Sequence, residues 1–254
     1  MEFLKVSCTG LFNSFRLPDF HTYHKTFPLP PKTTVAGMLG AALGITPKEV
    51  NQEWLIPERF KVGIVGNSQA VVKDLWQYRK YTEKHIKGYY DGKEETPWYR
   101  AVIVRELLFR SSFILYLTCE NNSDLNLLEN ALKNPAWALS LGREDELIRI
   151  DNIDKRAIEP SVDTKNVEFR NTQLPVDVNE LKLSPKLSEL QNFEKVNLLN
   201  YAPSVQKLHK QFSYTGNDRH AIDYSIVSFI GDLPLVGNTE VEYFSDDTCN
   251  FMLM

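Results

Sequence analysis

The opening segment EFLKVSC, residues 2–8, alternates apolar and polar positions with the two-residue repeat of a strand lying on a core. It predicts Phe3 and Leu4 on opposite faces and Cys8 turned inward. Residues 28–44, PLPPKTTVAGMLGAALG, change the pattern: prolines set an extended entry, Pro31 suits a first helical position, and helix formers with small residues run to Gly44. A helix follows from that order. FKVGIVG at 60–66 and SSFILYLTC at 111–119 read as strands, the latter setting Ile114, Tyr116 and Thr118 against Phe113, Leu115 and Leu117. DLNLLENALKN at 124–134 reads as a second helix, with Ser123 as its N-cap and Pro135 as its stop, and ELIRI at 146–150 as a further strand.

Strand, helix, strand, strand, helix, strand is the order of a ferredoxin-like α+β domain, the architecture of RNA-recognition (RRM) domains. Between its second and third strands, about 70–110, two extended arms read as a long β-hairpin, or thumb. An arm of about ten residues reaches about 33 Å. The expected division is a domain over 1–150 and a smaller, β-rich, acidic C-terminal region over 151–254. In the latter, 223–232 and 239–247 read as strands and 170–212 as partly helical or irregular.

Composition narrows the class. Of 254 residues, 43% are hydrophobic, enough for one sizeable core or two modest ones. Apolar runs stop well short of the ~20 residues of a membrane span, and the N-terminus lacks a signal-peptide layout, so a cytoplasmic protein with no membrane partner is expected. Cys8, Cys119 and Cys249 lie far apart without a CxxC pair, which argues against a zinc knuckle or disulfide framework and for buried thiols. The net charge of −4 hides an asymmetry: residues 1–110 carry 16 basic and 11 acidic side chains, a net of +5, and the remainder a net of −9. A polyanion therefore meets the first half.

Two segments carry chemistry suited to such a partner. Lys32, Thr33 and Thr34 combine a cation, two hydroxyls and helix-start N–H groups, a setting that favours phosphate. They are no nucleotide-binding P-loop, because the G-x-x-x-x-G frame is missing. Gly37, Ala41 and Gly44 give the same helix a small-residue face that permits close approach. In the hairpin, Lys73, Arg79, Lys80, Lys84, Arg100, Arg105 and Arg110 alternate with aromatics including Trp76, Tyr78, Tyr81, Trp98 and Tyr99. Cations hold a sugar-phosphate chain while rings stack bases, which is how single strands are gripped.

Enzyme readings are weaker. His21 and His24, near Asp19, offer too few ligands for a metal site, so no metal and no cofactor are expected. Tyr81, Lys84 and His85 could serve a metal-independent endoribonuclease, with His as acid or base, Lys stabilising developing charge and Tyr orienting. A protein–protein adaptor is a third reading, against which the basic-aromatic alternation argues.

FPLPPKTTVAGMLGAALG at 27–44, after a loop bearing Tyr23 and His24, together with LGRED at 141–145, resembles the CRISPR-associated protein five family of type I Cascade complexes, nearest subtype I-B. The resemblance covers most of residues 1–150. It implies a ferredoxin-like domain with a projecting thumb that binds the 5′ handle of the CRISPR RNA (crRNA) and contacts the Cascade large subunit and terminal backbone subunit. Target DNA is then met through guide pairing, with the protein following backbone and shape, as in another CRISPR effector. On this reading Lys32, Thr33, Thr34 and Arg143 hold handle phosphates, while Arg79, Lys80, Arg100 and Arg105 pass the strand along the thumb. One branch of the family cuts precursor RNA with a Lys-His pair just after the thumb. Residues 101–117 contain no histidine, so a non-catalytic subunit is expected, with the endoribonuclease as the alternative.

Overall fold

The computed structural model describes residues 1–20, 23–81, 98–162, 164–186, 188–189, 203–216 and 218–254. Its central sheet starts with β1, Glu2–Asn13, whose alternation sorts side chains as the sequence predicts. Leu4, Val6 and Cys8 enter the main core, while Phe3 faces a separate cluster with Tyr116, Phe244 and Phe251. After a two-residue strand β2, Tyr23–His24, and helix α1, Lys32–Leu43, come the short α2, Pro47–Val50, and a π-helical turn, Asn51–Leu55. Two 22-residue strands follow, β3, Phe60–Tyr81, and β4, Trp98–Cys119, then α3, Asn122–Lys133, and β5, Ile148–Ala157.

These strands pair in the order β3-β4-β1-β5, all antiparallel, and β2 adds to β4. The result is a mixed α+β protein built on a large antiparallel sheet with three α-helices among the described residues, and the expected βαββαβ succession is present. The remaining strands are β6, Pro160–Ser161; β7, Thr164–Phe169; β8, Thr172–Leu174; β9, Lys182–Pro185; β10, Ser204–Thr215; β11, Asp218–Ile230; β12, Leu235–Thr239; β13, Tyr243–Asp246; and β14, Cys249–Phe251. β8, β11 and β10 extend the central sheet beyond β3, so strands from both sides of residue 150 share it. The other strands make two three-stranded sheets, β7-β12-β9 and β14-β13-β6. No helix among the described residues is long and apolar enough to cross a membrane.

Several local expectations change. The thumb is no separate insertion: β3 and β4 pair without interruption of the strands from Phe60↔Cys119 to Tyr81↔Trp98, so the sheet strands themselves lengthen into the hairpin. The helix α3 is capped by Asn121, whose carbonyl accepts from the Asp124 and Leu125 amides, and Ser123 lies inside it. Asp124 instead takes a two-pronged ion pair from Arg59. Among its described residues the segment 170–212 contributes strands β8, β9 and part of β10, with 3-10 turns at Val178–Glu180 and at 188–189, while 187 and 190–202 lie outside the described residues. Cys8 is fully buried and Cys119 and Cys249 partly so, all three as free thiols. Burial pushes the Cys8 and Cys119 thiols up to about 12.

The glycines of α1 divide differently from their helical spacing. Gly37 is exposed and a Cβ there meets nothing within 4 Å, whereas at Gly40 it would sit 2.2 Å from Val50 Cγ2. Val50 is buried and stiff about χ1, so it yields little. Gly37→Ala should therefore raise the thermal midpoint, since alanine favours a helix interior over glycine by about 1 kcal/mol, while Gly40→Ala should lower it by overpacking worth about 1–3 kcal/mol. Thermal unfolding followed by circular dichroism checks both, and shifts of one sign would contradict this division.

Candidate nucleic-acid interface

The LGRED turn is built around a buried carboxylate. Gly142 has φ +121°, a backbone conformation that glycine tolerates and other residues avoid. The turn closes where the Leu141 amide donates to the Glu146 carbonyl and the Glu146 amide to that of Arg143, both at 3.1 Å. Glu146, only 4% exposed, accepts from the Ser14 amide at 2.6 Å, the Ser14 hydroxyl at 2.5 Å and the Arg143 amide at 3.0 Å. Buried Asn13 adds a 2.7 Å bond to the Leu141 carbonyl. One carboxylate thus ties the turn to the end of β1 and fixes the backbone from which Arg143 projects.

Arg143 leads to the base of the hairpin. Its guanidinium lies 4.9 Å from the Trp76 ring centroid, and its Nη2 donates to His24 Nδ1 at 3.2 Å. A guanidinium has no acceptor, so that bond requires an unprotonated Nδ1. Arg105, the Cα partner of His24 across β2 and β4, rests 5.3 Å from the same indole and donates to Asp74 at 2.7 Å. Beside them Tyr23 donates to Glu106 at 2.8 Å, and this bond, ahead of burial, raises the pKa of the Tyr23 hydroxyl. Arg105 is partly neutralised by Asp74, whereas Arg143 has no carboxylate within ion-pair distance among the described residues. Two flat, charge-delocalised cations held on one ring can meet phosphates or stack against bases.

The other expected site residues do not gather there. Arg100 is exposed farther along the hairpin, opposite Arg79 in the register. The side chains of Arg79, Lys80, Tyr81, Trp98 and Tyr99 lie outside the described residues, as do Lys84, His85 and His21 entirely. At the start of α1, Lys32 parts from Thr33 and Thr34. Its ammonium lies 5.3 Å from the Phe60 ring centroid in a cavity of about 230 Å³ shared with Lys61, Lys210 and Glu58. Burial, with Lys210 and Lys61 adding like charge against Glu58, lowers its pKa. Lys32 is therefore a half-buried cation packed on an aromatic ring, while Thr33 and Thr34 line a different groove with Arg16 and Arg219.

Sequence reading passed over Glu146, and it named His24 in a rejected metal pair and in the loop that carries the family resemblance without giving it a role. A glutamate following a glycine-arginine turn into a strand was the available signal for the first. Nothing local marked the contact of the second with Arg143, because that partner lies 119 positions away.

The family described as CRISPR-associated protein (Cas_Cas5) matches residues 3–201. Among solved structures, a chain described as "CRISPR RNA-guided surveillance complex" is 16% identical with TM-score 0.51, covering 95% of this chain and 91% of that one, a likeness of fold. A CRISPR protein from Archaeoglobus fulgidus is 9% identical with TM-score 0.49, over 99% of this chain and 98% of that one. No match was found among curated proteins. The family match spans well over half of the sequence, including both α1 and the LGRED turn, and on that ground the chain belongs to the CRISPR-associated protein family Cas5.

Proposed function

We propose that this chain is a non-catalytic subunit of a type I CRISPR Cascade surveillance complex, of subtype I-B. It grips the 5′ handle of the crRNA at the hairpin base and joins the backbone subunit to the large subunit, target DNA being recognised through guide pairing. The observation that carries this reading is Arg143: its guanidinium has no carboxylate partner among the described residues and stacks on Trp76, while a buried glutamate holds its backbone amide. A cation fixed before its ligand arrives loses little freedom on binding, which suits a phosphate contact. Family membership and the fold likeness support the assembly.

The experiment is purification of the chain from its native host, sequencing of the RNA that accompanies it, and incubation of precursor RNA with the purified protein. RNAs sharing one 5′ repeat-derived end, and precursor left intact with or without chelator, are the expected outcome. Site-specific cleavage lost on His85→Ala would establish the endoribonuclease instead.

A further inference from the structure

We propose that the β10–β11 hairpin forms the second wall of a nucleotide-binding groove, so that the acidic C-terminal half of the chain itself contacts single-stranded RNA; this rests on the RNA-binding reading above. The groove, about 460 Å³, lies between residues 15–18, the start of α1 and this hairpin, within the size range of small-ligand sites. Arg16 and Arg219 both line it, both are exposed, and neither has a carboxylate within ion-pair distance among the described residues.

That pairing pattern is informative because five arginines follow residue 110 in a segment of net charge −9. Arg149, Arg156 and Arg170 each meet an acidic side chain. The two that do not are Arg143 and Arg219, and each lies on an aromatic ring, Arg143 on Trp76 and Arg219 4.5 Å from the centroid of Phe212. The same device thus occurs twice, at the hairpin base and in this groove.

The wall is also prepared as a surface. The β10–β11 pairing shifts register between His209 and Phe212, an irregularity of the kind that re-aims side chains. Buried Asn51 then clamps Phe212 through both backbone groups, at 2.7 and 2.9 Å. His209 stacks at 5.9 Å from Phe212, and its Nδ1 is buried without a hydrogen-bond partner among the described residues. Burial and then the charge of Arg219 lower the His209 pKa, against an opposing contribution from Asp19. A phosphate between Arg16 and Arg219 would supply the missing countercharge, and the flat guanidinium and ring groups offer a base its stacking partners.

The test uses the full chain, a short fluorescein-labelled oligouridylate, and binding measured across a salt series. Arg16→Ser with Arg219→Ser should weaken binding several-fold and reduce the log-log salt slope by about 1.4, two single-strand phosphate contacts at about 0.7 each. Thermal unfolding should stay at the parent value, since both side chains are exposed. In the parent, RNA containing 4-thiouridine should crosslink to peptides of β10 or β11. An unchanged slope and no such crosslink, with Arg105→Ala plus Arg143→Ala still weakening binding, would overturn the groove and leave the RNA reading standing. Failure of the parent to bind the oligouridylate would overturn both.

Discussion

Gly142→Ala is expected to cost the protein about 3–5 kcal/mol and to weaken its hold on RNA at the same time. A Cβ at this position would sit 2.1 Å from Glu146 Oε2 and 2.6 Å from the Ser14 carbonyl oxygen, and the φ of +121° is itself strained for alanine by about 1–3 kcal/mol. Relief requires moving the Glu146 carboxylate. That would leave the Ser14 amide, the Ser14 hydroxyl and the Arg143 amide short of an acceptor, at about 1–3 kcal/mol for each buried donor stranded. These costs overlap, because one displacement causes them all. For a chain of this length the thermal midpoint should fall by roughly 10 °C. Glu146→Gln, which keeps the shape and one acceptor oxygen, should fall less. A Gly142→Ala midpoint within about 2 °C of the parent, the shift of a change of no more than ~1 kcal/mol, would show that the turn does not depend on this carboxylate.

The second large effect belongs to Arg105→Ala combined with Arg143→Ala. Both guanidiniums rest on Trp76, so the double variant removes the cationic face of the hairpin base while leaving the indole in place. Affinity for handle RNA should drop about tenfold or more at physiological salt, and the salt slope should fall by about 1.4 if each contacts one phosphate. Arg143→Lys should not restore the loss, since a lysine ammonium lacks the planar fork that stacks on Trp76 while donating to His24 Nδ1. Stability should change little from Arg143, which is only half-buried, and modestly from Arg105, whose removal leaves Asp74 unpaired. An affinity and slope equal to the parent's would remove the hairpin base from the RNA path.

Where periodicity is strict, sequence and structure agree. The alternation in 2–8 and 111–119 assigns Leu4, Phe113, Leu115 and Leu117 to one core and Phe3 and Tyr116 to the other face. The exit of α1 was also legible, because Gly44 ends it at φ +74°; its entry lies one residue later than expected, since Pro31 with ψ 153° is the extended cap and Lys32 takes the first helical position. The cap of α3 was not legible, since Ser123 and Asn121 both suit the role and only the helix's actual start selects Asn121. The two extended arms of the hairpin at about 70–110 were legible, but their continuity with 60–66 and 111–119 as single 22-residue strands was not, because strands leaving a sheet no longer bury one face and lose the alternation that marks them.

By itself, then, the sequence determined the succession of strands and helices, the two faces of the central strands and the motifs that point to the family. Those features are written in spacings of two to four residues, where each side chain's environment follows from its neighbours along the chain. Only the tertiary structure decided which cations act together. Arg143 meets His24 and Trp76 through the register of β2 on β4 and a turn closed by Glu146, and Arg219 meets Arg16 because the sheet is extended by β11 and β10. Lys32, adjacent in sequence to Thr33, is drawn to Phe60 and away from it. A helix turns its neighbouring residues about 100° apart, so adjacency in the chain places them on different surfaces, whereas strand pairing brings distant residues onto one.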